Sequence, residues 1–190
     1  MKIAILLPFK DTYTKNKAGS ASIWVKDFIK KSKYKHNILI YGYIKKLNKK
    51  NLIDKNNYIN IKYNFDYFIG SKNKKYVEIF NRLVQEKKVD LIELHNRPNY
   101  INYLDKNIKK ILIFHNDPLT LKGSVTLKER KKIIDKSEKI LFVSNWVKQR
   151  FFEGFKIKNH NKCEVVYPSI NRLKKFPKKE NLIIFVGKLN

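Results

Sequence analysis

Two similar pentapeptides stand twenty positions apart, Leu94-His95-Asn96-Arg97-Pro98 and Phe114-His115-Asn116-Asp117-Pro118. Each follows an apolar run with the length and residue types of a buried strand. In parallel α/β sheets ligands bind beyond the carboxyl ends of the strands. Two imidazoles and two carboxamides at that edge would suit a hydroxyl-rich ligand, because Asn offers a donor and an acceptor together. His95, Asn96, Arg97, Asn116 and Asp117 are therefore candidate substrate contacts, and His115 a candidate catalytic group. The plainer reading has His and Asn tying down loop backbone while Pro ends the turn. Finding two such loops at one edge weighs against it.

His95, His115 and Asp117 do not make a metal signature, since there is no His-x-x-x-His or cysteine-rich spacing. No metal and no cofactor are expected. No serine sits in a Gly-x-Ser-x-Gly elbow either, which removes a serine triad. The loop Lys17-Ala18-Gly19-Ser20-Ala21-Ser22 precedes a helical pattern. A glycine there lets backbone approach a phosphate, and the helix N-terminus favours the anion. Gly19 and Ser20 are thus candidate phosphate contacts. The spacing is neither Gly-x-Gly-x-x-Gly nor a Walker loop, and an ordinary tight turn fits it equally well.

The elements that must position these residues alternate strand and helix, as parallel βαβ units do. Strand runs fall at residues 3–7, 37–43, 58–63, 89–94, 110–114, 139–143 and 164–167. Between them, Trp24, Val25, Phe28 and Ile29 have helical spacing with Ser20 or Ser22 as cap. Tyr76, Ile79, Phe80 and Leu83 repeat at helical intervals, and Pro98 opens a short helix. Thr126 and Glu129 have capping-box spacing; Ser144 caps a helix through Glu153 that Gly154 closes. Residues 174–179 read as a basic linker, and residues 181–186 as a further strand. The fold class is α/β, a Rossmann-like, doubly wound, mostly parallel sheet.

A chain of 190 residues, 43% of them hydrophobic, is long enough for one such domain with a sizeable core. No apolar run reaches the roughly 18–20 residues of a bilayer span, and the first nine residues read as a strand, not a signal peptide. Cys163 is the only cysteine, which excludes an intrachain disulfide and fits a reducing, cytoplasmic setting. The formal charge is +27, from 38 lysines and five arginines against 16 acids. Base-reading proteins lean on arginine's planar fork, and these lysines are dispersed, so nucleic acid is disfavoured as a partner. Anionic lipid on the inner membrane face is the better match. The helices around Trp24 and Phe28, and around Trp146, Phe151 and Phe152, mix aromatics with cations and would suit that interface, although such aromatics are more often core.

Taken in order, several segments resemble the N-terminal domain of glycosyltransferase family 4 (group 1) enzymes, a large retaining group with the GT-B fold. The His-Asn-Arg-Pro and His-Asn-Asp-Pro loops resemble members that build lipopolysaccharide or related surface glycans. The segments are Lys2-Ile-Ala-Ile-Leu-Leu, the loop at Gly19, Val89-Asp-Leu-Ile-Glu-Leu-His95, Ile111-Leu-Ile-Phe-His115 and Ile140-Leu-Phe-Val-Ser-Asn145. Val165-Val-Tyr-Pro168-Ser-Ile-Asn171 and Ile184-Phe-Val-Gly187-Lys188-Leu189 complete the series. The resemblance implies retaining transfer of a sugar from a nucleotide diphosphate sugar to a glycolipid or polysaccharide acceptor. It implies an acceptor-side domain over residues 1–172, and a linker and first strand of a donor-binding domain over 173–190. Gly19, Ser20 and Lys188 would meet the donor diphosphate, His115 would line the reaction centre, and His95 to Arg97 would border the acceptor. The first loop has Ala18-Gly19 where relatives often have two glycines. The acidic Glu-x₇-Glu motif of the donor domain is not in this sequence, so the chain alone is expected to be inactive. Two other readings stand beside this one: a non-enzymatic nucleotide- or phosphate-binding Rossmann module, and a basic nucleic-acid-binding protein.

Overall fold

The computed structural model describes residues 1–168. The expected linker at 174–179, the strand at 181–186, the boundary at 172/173 and Lys188 lie outside the described residues. Seven strands form one sheet: β1 (Ile3–Leu6), β2 (Ile38–Gly42), β3 (Tyr58–Asn60), β4 (Leu91–His95), β5 (Lys109–Phe114), β6 (Lys139–Phe142) and β7 (Cys163–Val165). Their spatial order is β3-β2-β1-β4-β5-β6-β7, and every pairing is parallel. The doubly wound Rossmann-like architecture read from the sequence is the one observed.

β1 lies inside the sheet, pairing Ile3 with Ile38 of β2 on one side and with Leu91 of β4 on the other. All four of its residues are buried, as a parallel sheet covered on both faces requires. Their two-residue alternation sends Ile3 and Ile5 into one apolar layer and Ala4 and Leu6 into the other. Helix α1 (Ser20–Lys31) covers the first layer through Val25 and Ile29. Helices α2 (Lys72–Glu86), α3 (Leu127–Lys136) and α4 (Asn145–Phe151) cover the second, through Tyr76, Phe80, Ile133 and Phe151. The change of face follows from right-handed crossovers once the strand order reverses at β1. That reversal opens a crevice beyond the carboxyl ends of β1 and β4.

Several local expectations are corrected. Gly19, not a serine, is the N-cap of α1 and has no side chain to cap it, while the Ser22 hydroxyl turns inward to Asp11. Pro98 opens a 3₁₀ turn, Pro98–Asn102, too short to become an α-helix. α4 stops at Phe151, since the amide of Phe152 already bonds back to Arg150, Gln149 and Lys148; Gly154, at φ 81°, lies in the turn beyond. Phe151 and Phe152 are core residues and cannot serve a membrane surface, whereas Trp146 stays outside under the Arg150 guanidinium. The Thr126–Glu129 capping box and the Ser144 cap form as read. Among the described residues no helix is long and apolar enough to cross a membrane.

Candidate functional site

The two pentapeptides end neighbouring strands, β4 and β5, whose register sets His95 opposite Ile113. Both histidines therefore reach the same carboxyl edge. Their roles separate there. His95 is completely enclosed and bonds on both sides: Nε2 to Glu93 Oε1 at 2.8 Å and Nδ1 to His115 Nε2 at 2.9 Å. A buried carboxylate accepts protons, so Glu93 fixes Nε2–H on His95. His95 Nδ1 is then an acceptor and takes the Nε2–H of His115. Burial, reinforced by the neighbouring His95, pushes His115 down to about 4, which keeps it neutral. Its Nδ1 bonds to nothing among the described residues, and the side chain is only partly buried. With His95 neutral, this chain of bonds leaves the Nδ1 of His115 unprotonated and able to accept from a ligand hydroxyl.

Trp24, on α1, closes one side. Its ring lies 5.0 Å from His95 and 5.7 Å from His115, edge-on to the latter, and stacks on Phe28 at 5.2 Å. Trp24 also lines an apolar cleft of about 380 Å³ with Ile23, Phe28, Val166 and Tyr167. The imidazole pair thus borders a surface fit for the flat face of a ring.

Asn96 is a structural staple. Its φ of 51° is a left-handed conformation that Asn tolerates. Oδ1 accepts the amides of His115 at 2.8 Å and Asn116 at 3.2 Å, and Nδ2 donates to Asn116 Oδ1 at 3.1 Å. The plainer expectation for such a residue, tying loop backbone, holds at this position. Asp117 caps a 3₁₀ turn through the Leu119 amide and holds Arg150 with its other oxygen, both guanidinium contacts at 3.0 Å. Arg97 is half-buried, one nitrogen donating to the Asn96 carbonyl at 2.8 Å. Asn116 is exposed.

At the head of α1 the Gly19 amide donates to Asp11 Oδ1 at 3.0 Å, and Ser22 Oγ donates to the same oxygen at 2.7 Å. A Cβ on Gly19 would stand 2.6 Å from that carboxylate, so the glycine makes room for an internal anion. Ser20 is exposed beside the apolar cleft.

Sequence reasoning missed Glu93 and Asp11. Glu93 carried a signal: a carboxylate two residues before His95 in an apolar strand points to the same face. Asp11 carried none, because its partners lie across a loop.

No known family profile matches the chain, and no curated protein aligns with it. Solved structures do. One is the lipopolysaccharide outer core galactosyltransferase WaaB in its apo form, at 15% identity and TM-score 0.57, covering 88% of this chain and 45% of that one. Another is Anabaena Alr3699/HepE in complex with UDP and glucose, at 13% identity and TM-score 0.55, covering 90% and 45%. A UDP-N-acetylglucosamine 2-epimerase matches at 12% identity and TM-score 0.50, covering 86% and 47%. The chain spans less than half the length of each, and shares with them a GT-B-like half-domain fold. These neighbours include both a transferase and an epimerase, so the shared fold by itself assigns no reaction to this chain.

Proposed function

We propose that this chain is the acceptor-side half of a retaining glycosyltransferase of the family 4 type, moving a sugar from a nucleotide diphosphate sugar to a glycolipid or surface-glycan acceptor. The observation that carries the reading is His115: a neutral imidazole at the carboxyl end of β5, one strand from the strand-order reversal of a GT-B-like half-domain, with Nδ1 unbonded among the described residues. In the proposed reaction positive charge grows at the anomeric carbon and negative charge on the departing diphosphate. His115 Nδ1 holds a sugar hydroxyl and sets the donor's angle of approach, a positioning effect worth several kcal/mol when the fit is tight. Trp24 supplies an apolar wall beside the sugar. Because Asp11 occupies the Gly19 amide, the diphosphate is left to Ser20, to Lys188 and to a second domain opening within residues 173–190. Work at the inner membrane face fits the lysine-rich surface.

The test is transfer by the complete gene product. The expected donor-binding half is a second βαβ domain with paired glutamates. The purified protein should release nucleotide diphosphate and pass labelled sugar to a lipid or polysaccharide extract, and the chain ending at Asn190 should do neither. Nucleotide binding by the chain alone, with no sugar consumed by the complete product, would favour the non-enzymatic Rossmann module.

A further inference from the structure

A cavity of about 510 Å³ lies beside Asn96 and Arg97, the residues that follow His95, and is lined differently from the Trp24 cleft. Four cations reach it from four separate segments: Lys10 after β1, Lys72 in the first turn of α2, Arg97 after β4 and Lys122 after β5. No carboxylate of the described residues lines it. Like charges gathered around one cavity repel unless an anion sits among them. Neither Lys10, Lys122 nor Arg97 has an acidic partner among the described residues, and the acid that feels Lys72, Asp66, is held by Lys45. Arg97 is already fixed through the Asn96 carbonyl, so its remaining N–H groups are presented in a set direction. The backbone at Lys72 and Asn73 adds first-turn amides of a 15-residue helix, which have no acceptor within the helix.

We propose that this cavity is a phosphoryl-group subsite, taking the phosphate carried by the molecule that receives the sugar. That the phosphate belongs to the sugar's acceptor rests on the transferase reading; the anion site stands on the cavity and its four cations. Planar Arg97 and the α2 amides set the direction of the oxygens, while Lys10 and Lys122 close over them as mobile charges. The chemistry is shared by a soluble phosphomonoester and a lipid phosphate headgroup.

The experiment uses inorganic phosphate and phosphatidate-containing phosphatidylcholine vesicles at physiological salt. Phosphate should shift the amide resonances of Lys72, Asn73 and Arg97. The pair Lys10→Ala/Lys122→Ala should weaken binding about tenfold, removing two nearby cations. The charge-matched pair Lys131→Ala/Lys132→Ala, exposed on α3 and away from the cavity, should leave it unchanged. Vesicle retention lost only in the cavity pair assigns a membrane-borne phosphate; phosphate binding without retention assigns a soluble one. Equal weakening by both pairs, or shifts confined to other segments, would overturn the subsite. Phosphate binding by a complete protein that transfers no sugar keeps the subsite and removes the transferase; transfer without phosphate binding does the reverse.

Discussion

His95 Nδ1 stands 2.9 Å from His115 Nε2, and the far side of His95 is closed by Glu93 at 2.8 Å. One buried carboxylate, two strand positions before His95, thereby decides which nitrogen of His115 carries the proton. Nitrogen-15 spectra at neutral pH should show His115 protonated at Nε2 and bare at Nδ1. Glu93→Ala should scramble both tautomers, while Glu93→Gln, which can still accept through its oxygen, should preserve them. A His115 protonated at Nδ1 in the unaltered protein would end the argument for an acceptor at that atom.

Burial and His95 hold His115 at about 4, below the 6.5 of a free imidazole. Between those values the unfolded chain binds a proton that the folded chain does not. Stability therefore falls as pH drops from 6.5 to 4 and levels off beneath, by up to about 3 kcal/mol for this group. Urea unfolding at pH 7 and pH 4.5 measures it. His115→Gln should lose distinctly less stability over that interval than the unaltered chain; equal losses would place the titration elsewhere.

Asp117 joins two loops by holding Arg150 and the Leu119 amide at once. Both groups are substantially buried, so Asp117→Ala should cost about 1–3 kcal/mol. The exposed Lys139–Glu164 pair provides the contrast, and Glu164→Gln should cost under about 1 kcal/mol. Thermal melts that rank the two variants the other way would remove the structural role given to Asp117.

Gly123 has φ +97°, and a Cβ there would meet the Asn99 backbone nitrogen at 2.6 Å. Gly154 has φ +81° with open space around it. Alanine at Gly154 should cost about 1–2 kcal/mol for the left-handed backbone alone. Gly123→Ala should cost clearly more, since main chain must also move, and should weaken phosphate at the cavity that Asn99 lines. Equal melting shifts would contradict the close approach.

Much of this was legible in the sequence because parallel strands buried on both faces write themselves as unbroken apolar runs, as in β1 and β5. The shared edge of His95 and His115 followed from the two repeated loops. Their division of labour did not. Whether a histidine is enclosed or open depends on Glu93 below it and Trp24 beside it, and strand register, not spacing, brings those groups together. Gly19 shows the same limit: its backbone freedom was legible, while the Asp11 carboxylate that uses it is a tertiary contact.

Placing the first strand inside the sheet also governs how the chain folds. β1 can pair with β2 early, but its other edge waits for β4; the Lys2–Asp90 bond beside that pairing spans 88 positions. At ribosomal speed the wait is on the order of 10 s. Throughout it, an apolar strand edge stands open as a template for pairing with another nascent chain. Conditions that slow synthesis between β3 and β4 should therefore lower the yield of soluble protein without altering the stability of what folds.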